Sequence, residues 1–460
     1  MKPMSFIALA GMAGGTLVQG DATGMASALA IDSRALPAGA LFVAIKGDVF
    51  DGHKFVAAAV DAGAVIVMVD AAVAADARAV VPGECGVIAV DDTLAGLQKL
   101  AAAYRALLAP RVVAITGSNG KTSTKEFTAA VLGTRFATNA TKGNLNNHIG
   151  LPLTMLSQEE GQTHGVYELG MNHPGEIAAL AALARPDIAV ITTMGGAHIE
   201  YFGSLEAIAV EKASLFQALR PDGTAVINLD SPYAELARQR APGKILTVGI
   251  GRGDVAATGL GFTARGNMKF TVTAAGQSAD VELQVPGEHM VQNALLAIAV
   301  GIIEGVPLEQ AARGLANVRI SGGRLQVKGW RGATIIDDTY NANPDSMKAA
   351  LRTLASQPSN ARRIAVLGGM GELGAFSADG HAEVGRFATR LGLDVICVVG
   401  AAAAGIATAA GDAARYFPDH ATCAAWLAAE IETGDVVLVK GSRAAAMENV
   451  LLALEEALVP

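Results

Sequence analysis

Val-Val-Ala-Ile-Thr-Gly-Ser-Asn-Gly-Lys-Thr-Ser-Thr-Lys-Glu-Phe-Thr, residues 112–128, joins an apolar run to a glycine-bounded turn and then to a segment with helical character. Val112 to Ile115 is largely β-branched and short, as a buried strand would be. Gly117 and Gly120 let backbone N–H groups come close to a polyphosphate. Lys121 adds a point positive charge, and the Thr122 hydroxyl is placed to ligate Mg²⁺. Where the longer form of this motif has its first Gly, this chain has Ile115, which leaves the shorter Gly-x-x-Gly-Lys-Thr form. A site for a nucleoside triphosphate explains the stretch better than an ordinary strand–helix turn.

Working outward, apolar runs alternate with Ala/Leu-rich helical stretches along the whole chain. Runs at 64–69, 87–90, 188–192, 224–228, 363–367, 395–399 and 436–439 read as strands, so the fold class is α/β with largely parallel sheets. Between Ile245 and Pro286 the pattern becomes short alternating runs such as Lys269-Phe270-Thr271-Val272-Thr273, expected as antiparallel strands appended to the central sheet. A first boundary falls near Ala109-Pro110, after the helical stretch 94–108. A second falls near Ile320-Ser321-Gly322-Gly323, after the helical segments in 291–316. The expected domains are therefore 1–109, 110–320 and 321–460, a number that suits 460 residues.

Composition narrows the functional classes. Hydrophobic residues make up 51% and mean hydropathy is +0.37, but Ala and Gly supply much of this, and no run reaches the roughly 20 residues a membrane span needs. The first residues carry a single Lys, and Gly11-Met12-Ala13-Gly14-Gly15 interrupts what would be a signal-peptide core, so a short structural helix is expected there. Net charge is −8 without a Lys/Arg cluster, which argues against a nucleic-acid partner. Cys85, Cys397 and Cys423 are scattered and odd in number, so neither a disulfide framework nor a metal-spaced pair is expected; a reducing cytoplasm fits.

Several further segments carry candidate chemistry. Residues 141–152 are rich in amides beside Lys142 and His148, and a substrate or phosphate role is expected for them. Glu168 ends a short run, where its carboxylate could ligate Mg²⁺. His198 follows Gly195-Gly196 and precedes Glu200, which favours a metal or phosphate role. Lys212, read alone, is a cation on a helix surface. Asn293 could bond a base edge, although an Asn on a helix ordinarily faces solvent. Arg324 follows the Gly322-Gly323 hinge and could swing onto phosphate. Asp337, Asp338, Asn341 and Asn343 gather at a strand end, where parallel sheets bind ligands. Gly369-Met370-Gly371-Glu372-Leu373-Gly374 satisfies the dinucleotide fingerprint, but the next run, 395–399, ends in Gly400 and Ala401 without the required acid. NAD is therefore not expected, and the turn is read as shaping a substrate-facing loop.

Taken together, six segments resemble the Mur ligases, ATP-dependent amino-acid ligases of peptidoglycan precursor synthesis. They are Thr-Gly-Ser-Asn-Gly-Lys-Thr-Ser at 116–123, Gly-Asn-Leu-Asn-Asn-His-Ile-Gly-Leu-Pro at 143–152, and Glu-Leu-Gly-Met-Asn-His at 168–173. Ala-His-Ile-Glu-Tyr-Phe-Gly-Ser at 197–204, Asp-Asp-Thr-Tyr-Asn-Ala-Asn-Pro at 337–344 and Lys-Gly-Ser-Arg at 440–443 complete the set. Tyr-Asn-Ala-Asn-Pro and Glu-Leu-Gly-Met-Asn-His favour the branch that adds D-Ala-D-Ala to UDP-N-acetylmuramoyl-tripeptide. A sibling ligase using another amino acid, a folylpolyglutamate-type ligase and a non-catalytic nucleotide-binding protein are the alternatives.

The resemblance implies a three-domain architecture: a UDP-sugar domain, a central ATPase domain and a C-terminal Rossmann-like domain that binds the dipeptide and closes over ATP, with a hinge near Ser321-Gly322-Gly323. It implies that Gly117, Ser118, Asn119, Gly120, Lys121, Thr122 and Ser123 hold the ATP phosphates. Thr122, Glu168, His198 and Lys212 would serve two Mg²⁺ ions, Lys212 as a carbamate, although Glu211 stands where relatives often have a small residue. Asn293, Arg324, Asp338 and Asn343 would hold adenine, γ-phosphate and ribose. Lys121, Lys212, His198 and Arg324 would be catalytic. Ser33, Arg34, Lys46, Asn144, Asn146 and Asn147 would bind substrate. A cytoplasmic monomer is implied.

Overall fold

A computed structural model describes residues 1–47, 50–320, 322–358 and 361–456. Ser321 of the expected hinge, and the very end of the third expected domain, lie outside the described residues. The chain packs into two compact units that interleave along the sequence. One comprises Met1–Ala114, Phe136–Met171 and Glu176–Asp187; the other comprises Ile115–Arg135, Asn172–Gly175 and Ile188–Pro460.

In the first unit the short N-terminal helix is present as Phe6–Ala13, capped by Ser5 and ended by Gly14 in the left-handed region, φ 68°. A five-stranded sheet follows in the order Thr16–Gln19, Gly86–Val90, Ala64–Asp70, Ala40–Val43, Ala28–Ala30. Only the first pair is antiparallel. Phe42, Val56, Val67, Val69 and Val87 meet in the core on one of its faces. The helix Thr93–Leu108 is capped by Asp92, and its end is turned by Ala109 at φ 46°. Strands Thr138–Ala140 and His164–Glu168 pair in parallel. Asp187, buried, accepts from Val112 N at 2.8 Å and from the Arg111 guanidinium at 3.1 Å.

The strand Arg111–Thr116 runs through both units, its last two residues belonging to the second. In the second unit it leads to Ile188–Ile191, and then in order to Thr224–Asn228, Lys244–Ile250, Val255–Phe262, Met268–Ala274 and Gln277–Glu282. The appended region was expected to be antiparallel. Only its last two pairings are so. Lys244–Ile250 lies parallel to Thr224–Asn228, and Val255–Phe262 lies parallel to Lys244–Ile250. Alternation along a strand reports which face is buried and carries no information on the direction of the neighbour.

Helix Glu288–Ile303 is buried along most of its length and packs on Lys121–Gly133. Gly301 permits the close approach: a Cβ there would strike Val131. A six-stranded sheet has the order Gln326–Trp330, Ala333–Asp338, Val436–Lys440, Arg363–Leu367, Val395–Val399, Ala414–Phe417. Its first pair is antiparallel and the rest parallel. Among the described residues, no helix is long and apolar enough to cross a membrane.

Candidate active site

The turn after Arg111–Thr116 is held on several sides within the second unit. Ser118 N donates to Thr193 O at 2.7 Å. Ser118 Oγ donates to Gly195 O at 2.7 Å and accepts from Gly195 N at 2.8 Å. Asn119 N donates to Thr193 Oγ1 at 3.2 Å. Gly117 and Gly120 have φ of 153° and 82°. A Cβ on Gly117 would collide with Thr192 Oγ1, and one on Gly120 with Asn293 Oδ1. Both glycines are thus required for close packing as well as for backbone conformation.

Helix Lys121–Gly133 begins at this turn, and its N-cap, Gly120, has no side chain to offer the first amides. That leaves a helix N-terminus, with its partial positive charge, aimed where an anion can satisfy it. Lys121 Nζ donates to Gly117 O at 2.7 Å, folded back over the turn. Thr122 and Ser123 are buried in the first helical turn.

Asn293 does not face solvent. It is buried and accepts from Thr124 Oγ1 at 3.2 Å, bracing the phosphate turn from the neighbouring helix. Lys212 is not a surface cation either: it is 1% exposed. Burial pushes its ammonium well below the ordinary lysine range, reinforced by the charge of Lys121 and opposed by Glu211. Its helix Leu205–Ala213 turns this position inward, a fact that a lone Lys in an Ala-rich stretch does not signal. Glu211 is engaged, with Oε2 accepting from Gly175 N at 2.9 Å.

His198 takes φ 63° at the start of the short helix Ile199–Phe202. Its Nδ1 lies 2.8 Å from Glu372 Oε2, and the ring holds the Glu372 carboxyl below its usual range. Asn343 caps helix Pro344–Ala355 through a reciprocal box with Ser346 and pairs with Asn119. Asp338 accepts from Lys440 Nζ at 2.7 Å, and Lys440 also donates to Asn341 O at 2.9 Å. The Arg324 guanidinium lies 3.6 Å over the centre of the Tyr340 ring. Asp345 and Glu372 carry no individual signal in the sequence. Asp345 accepts from Gly196 N at 3.0 Å, and no local pattern announced it; Glu372 sat inside the glycine-rich turn at 369–374.

The first unit holds the other expected residues. Glu168 ends its strand buried; Oε1 accepts from Asn146 Nδ2 at 2.8 Å, while Oε2 is buried with no hydrogen-bond partner among the described residues. A buried carboxylate oxygen without a donor is costly, and a cation is the natural complement. Asn144 is exposed, and Asn147 Oδ1 accepts from Ile149 N and Gly150 N at the start of the next helix. In the other sheet of this unit, Ser33 and Arg34 form a short turn capped by Asp32, whose carboxylate the mostly exposed Arg34 side chain grips at 2.8 and 2.9 Å. Lys46 is exposed and bridges Asp51 through the backbone. His53 braces that bend, with Nδ1 2.7 Å from Asp51 Oδ1 and Nε2 accepting from Asp70 N at 3.0 Å. Among the described residues no group of three or more His, Cys, Asp and Glu side chains is placed to hold a metal ion.

Three family profiles match this sequence: the Mur ligase family catalytic domain over 26–105, the Mur ligase middle domain over 115–301, and the Mur ligase glutamate ligase domain over 323–443. The chain is 38% identical over 436 residues to UDP-N-acetylmuramoyl-tripeptide–D-alanyl-D-alanine ligase of Escherichia coli strain K12, covering 93% of this chain and 94% of that one. It is 37% identical over 435 residues to the enzyme of the same name in Bacillus subtilis strain 168, covering 93% of each. Among solved structures it is similar to MurF from Acinetobacter baumannii, with TM-score 0.90 and 32% identity over 99% of both chains. It is also similar to the MurF ligase of Thermotoga maritima in complex with ADP, with TM-score 0.83 and 30% identity over 94% of this chain and 97% of that one.

Proposed function

The chain belongs to the Mur ligase family, and from that membership we propose that it is an ATP-dependent amide ligase joining D-Ala-D-Ala to UDP-N-acetylmuramoyl-tripeptide. A carboxylate is a poor electrophile at neutral pH. The terminal carboxylate oxygen of the tripeptide attacks the γ-phosphorus of ATP and ADP leaves. The free amine of the dipeptide then attacks the acyl carbon, loses a proton and expels phosphate through a tetrahedral intermediate.

Catalysis on this reading is positioning and charge neutralisation. The turn 117–123 holds the phosphates by backbone amides at a helix start whose N-cap is a glycine. Lys121 leaves its carbonyl partner to meet the γ-phosphoryl group, and Arg324 adds a second cation. Asn293, Asp338 and Asn343 serve the nucleoside end. Ser33, Arg34, Lys46, Asn144, Asn146 and Asn147 serve the nucleotide-sugar peptide. Two Mg²⁺ ions, when bound, offset the negative charge of the phosphates; Thr122, Glu168, His198 and Lys212 would hold them, and the partnerless Glu168 Oε2 fits that task. Burial favours the neutral Lys212 amine, the form that adds CO₂ and releases a proton to become a carbamate. Three domains at 1–109, 110–320 and 321–460, a monomeric chain and a cytoplasmic location belong to the same reading.

The observation that carries the proposal is the phosphate turn itself, together with likeness over nearly the whole length of relatives named for this reaction. Its test is phosphate release by the purified chain. Release should require ATP, the UDP-tripeptide and the dipeptide together; release with a different amino acid would select a sibling ligase, and none under any combination would sink the enzyme reading.

A further inference from the structure

Resting on the ligase reading, we infer that Glu372 is a positioning residue for His198: from the loop Gly369–Gly374 it fixes the imidazole, so that His198 is aligned when that loop is seated.

His198 is poorly held by its own element. It follows two glycines, takes a left-handed φ of 63° and opens a helix of only four residues with no side-chain cap. Its ring is approached from outside by Glu372 Oε2, 2.8 Å from Nδ1, at contact distance but without hydrogen-bond alignment in this structure, an alignment that active-site pairs often gain only when substrate is bound. Glu372 also takes a left-handed φ, 58°, so two non-glycine residues in an unfavourable region face each other. Such conformations persist where the surroundings over-determine them, and they gather at working sites.

The loop that presents Glu372 is pinned on both sides. Buried Met370 donates its N–H to His381 Nε2 at 3.0 Å, and His381 Nδ1 donates to Ser377 O at 2.7 Å. Leu373 is buried. The Glu372 carbonyl accepts from Glu200 N at 3.4 Å, and a Cβ on Gly374 would strike the Glu200 side chain. The opposite side of the same turn is tied down by Asp345, which accepts from Gly196 N. The turn 195–200 is therefore gripped at both ends by residues from the C-terminal third of the chain. Because the Glu372 side chain is 44% exposed, solvent screens the pair, and its value lies in orientation more than in stability. A carboxylate that fixes one ring nitrogen directs the other toward its ligand.

The experiment compares Glu372→Ala and Glu372→Gln with the wild-type chain, alone and in a His198→Ala background. Glu372→Ala should lower kcat about tenfold or more, as loss of an orienting partner typically does, with KM for ATP and the melting temperature unchanged. Glu372→Gln keeps an oxygen that can accept from Nδ1–H and should recover most of the loss. In the His198→Ala background Glu372→Ala should add nothing. In nucleotide-free protein with labelled histidine, the low-field imidazole N–H resonance that vanishes in His198→Ala should vanish in Glu372→Ala too. Wild-type kcat in Glu372→Ala, an equal loss without His198, or a resonance indifferent to residue 372 overturns the inference alone. A wild-type chain that releases no phosphate with both substrates overturns the ligase reading and this inference with it.

Discussion

Asn343 Nδ2 donates to Asn119 Oδ1 at 2.8 Å, joining the phosphate turn to the start of a helix 224 positions further along the chain. Asn343 has a second task, since its Oδ1 accepts from Ser346 N at 2.9 Å and caps that helix. Asn343→Ala should therefore lose about 1 kcal/mol of stability from the cap as well as turnover. Asn119→Ala should lose turnover with less change in stability. Denaturant midpoints beside steady-state rates separate the two, and equal midpoint shifts would contradict the division of roles.

Lys121 supplies the charge of the turn, and its Nζ donates to Gly117 O at 2.7 Å and lies 3.5 Å from Ser118 O, carbonyls of its own loop. Lys121→Ala should reduce kcat roughly 10³-fold, the scale of losing one preorganised donor. Circular dichroism should show an intact fold. A variant within a few fold of wild type would remove Lys121 from the chemistry.

Two glycines of one helix region should respond with opposite sign. Gly120→Ala forces a side chain into φ 82° against Asn293 Oδ1, at a cost of about 1–3 kcal/mol, and should weaken nucleotide binding measured by calorimetry. Gly133, at the end of the same helix, has open space around a built Cβ and no positive φ. Gly133→Ala should be neutral or stabilise by up to about 1 kcal/mol, with unchanged nucleotide affinity.

His289 carries a pH dependence of stability. Burial pushes its pKa from 6.5 down to about 4, with the Lys440 charge acting the same way and Asp338 opposing. Above pH 6.5 the ring is neutral in both folded and unfolded chains. Between 6.5 and 4 only the unfolded chain takes up the proton, so stability should fall as pH drops through that window. Urea midpoints at pH 7 and pH 5 should differ less in His289→Gln than in wild type. An identical slope would exclude His289 as a source.

The strand–turn–helix at 111–133 was legible because its information is local: an apolar run, two glycines, a Lys and a Thr within a dozen residues set backbone path and chemistry together. Strands 224–228, 363–367 and 395–399 fall where their apolar runs end, for the same reason. Direction of pairing at 244–262, the inward turn of Lys212, the bracing of Gly120 by Asn293 and the meeting of His198 with Glu372 could not be read that way. Each depends on which distant segment packs alongside, and a residue carries its own chemistry in its side chain but not the identity of its neighbour.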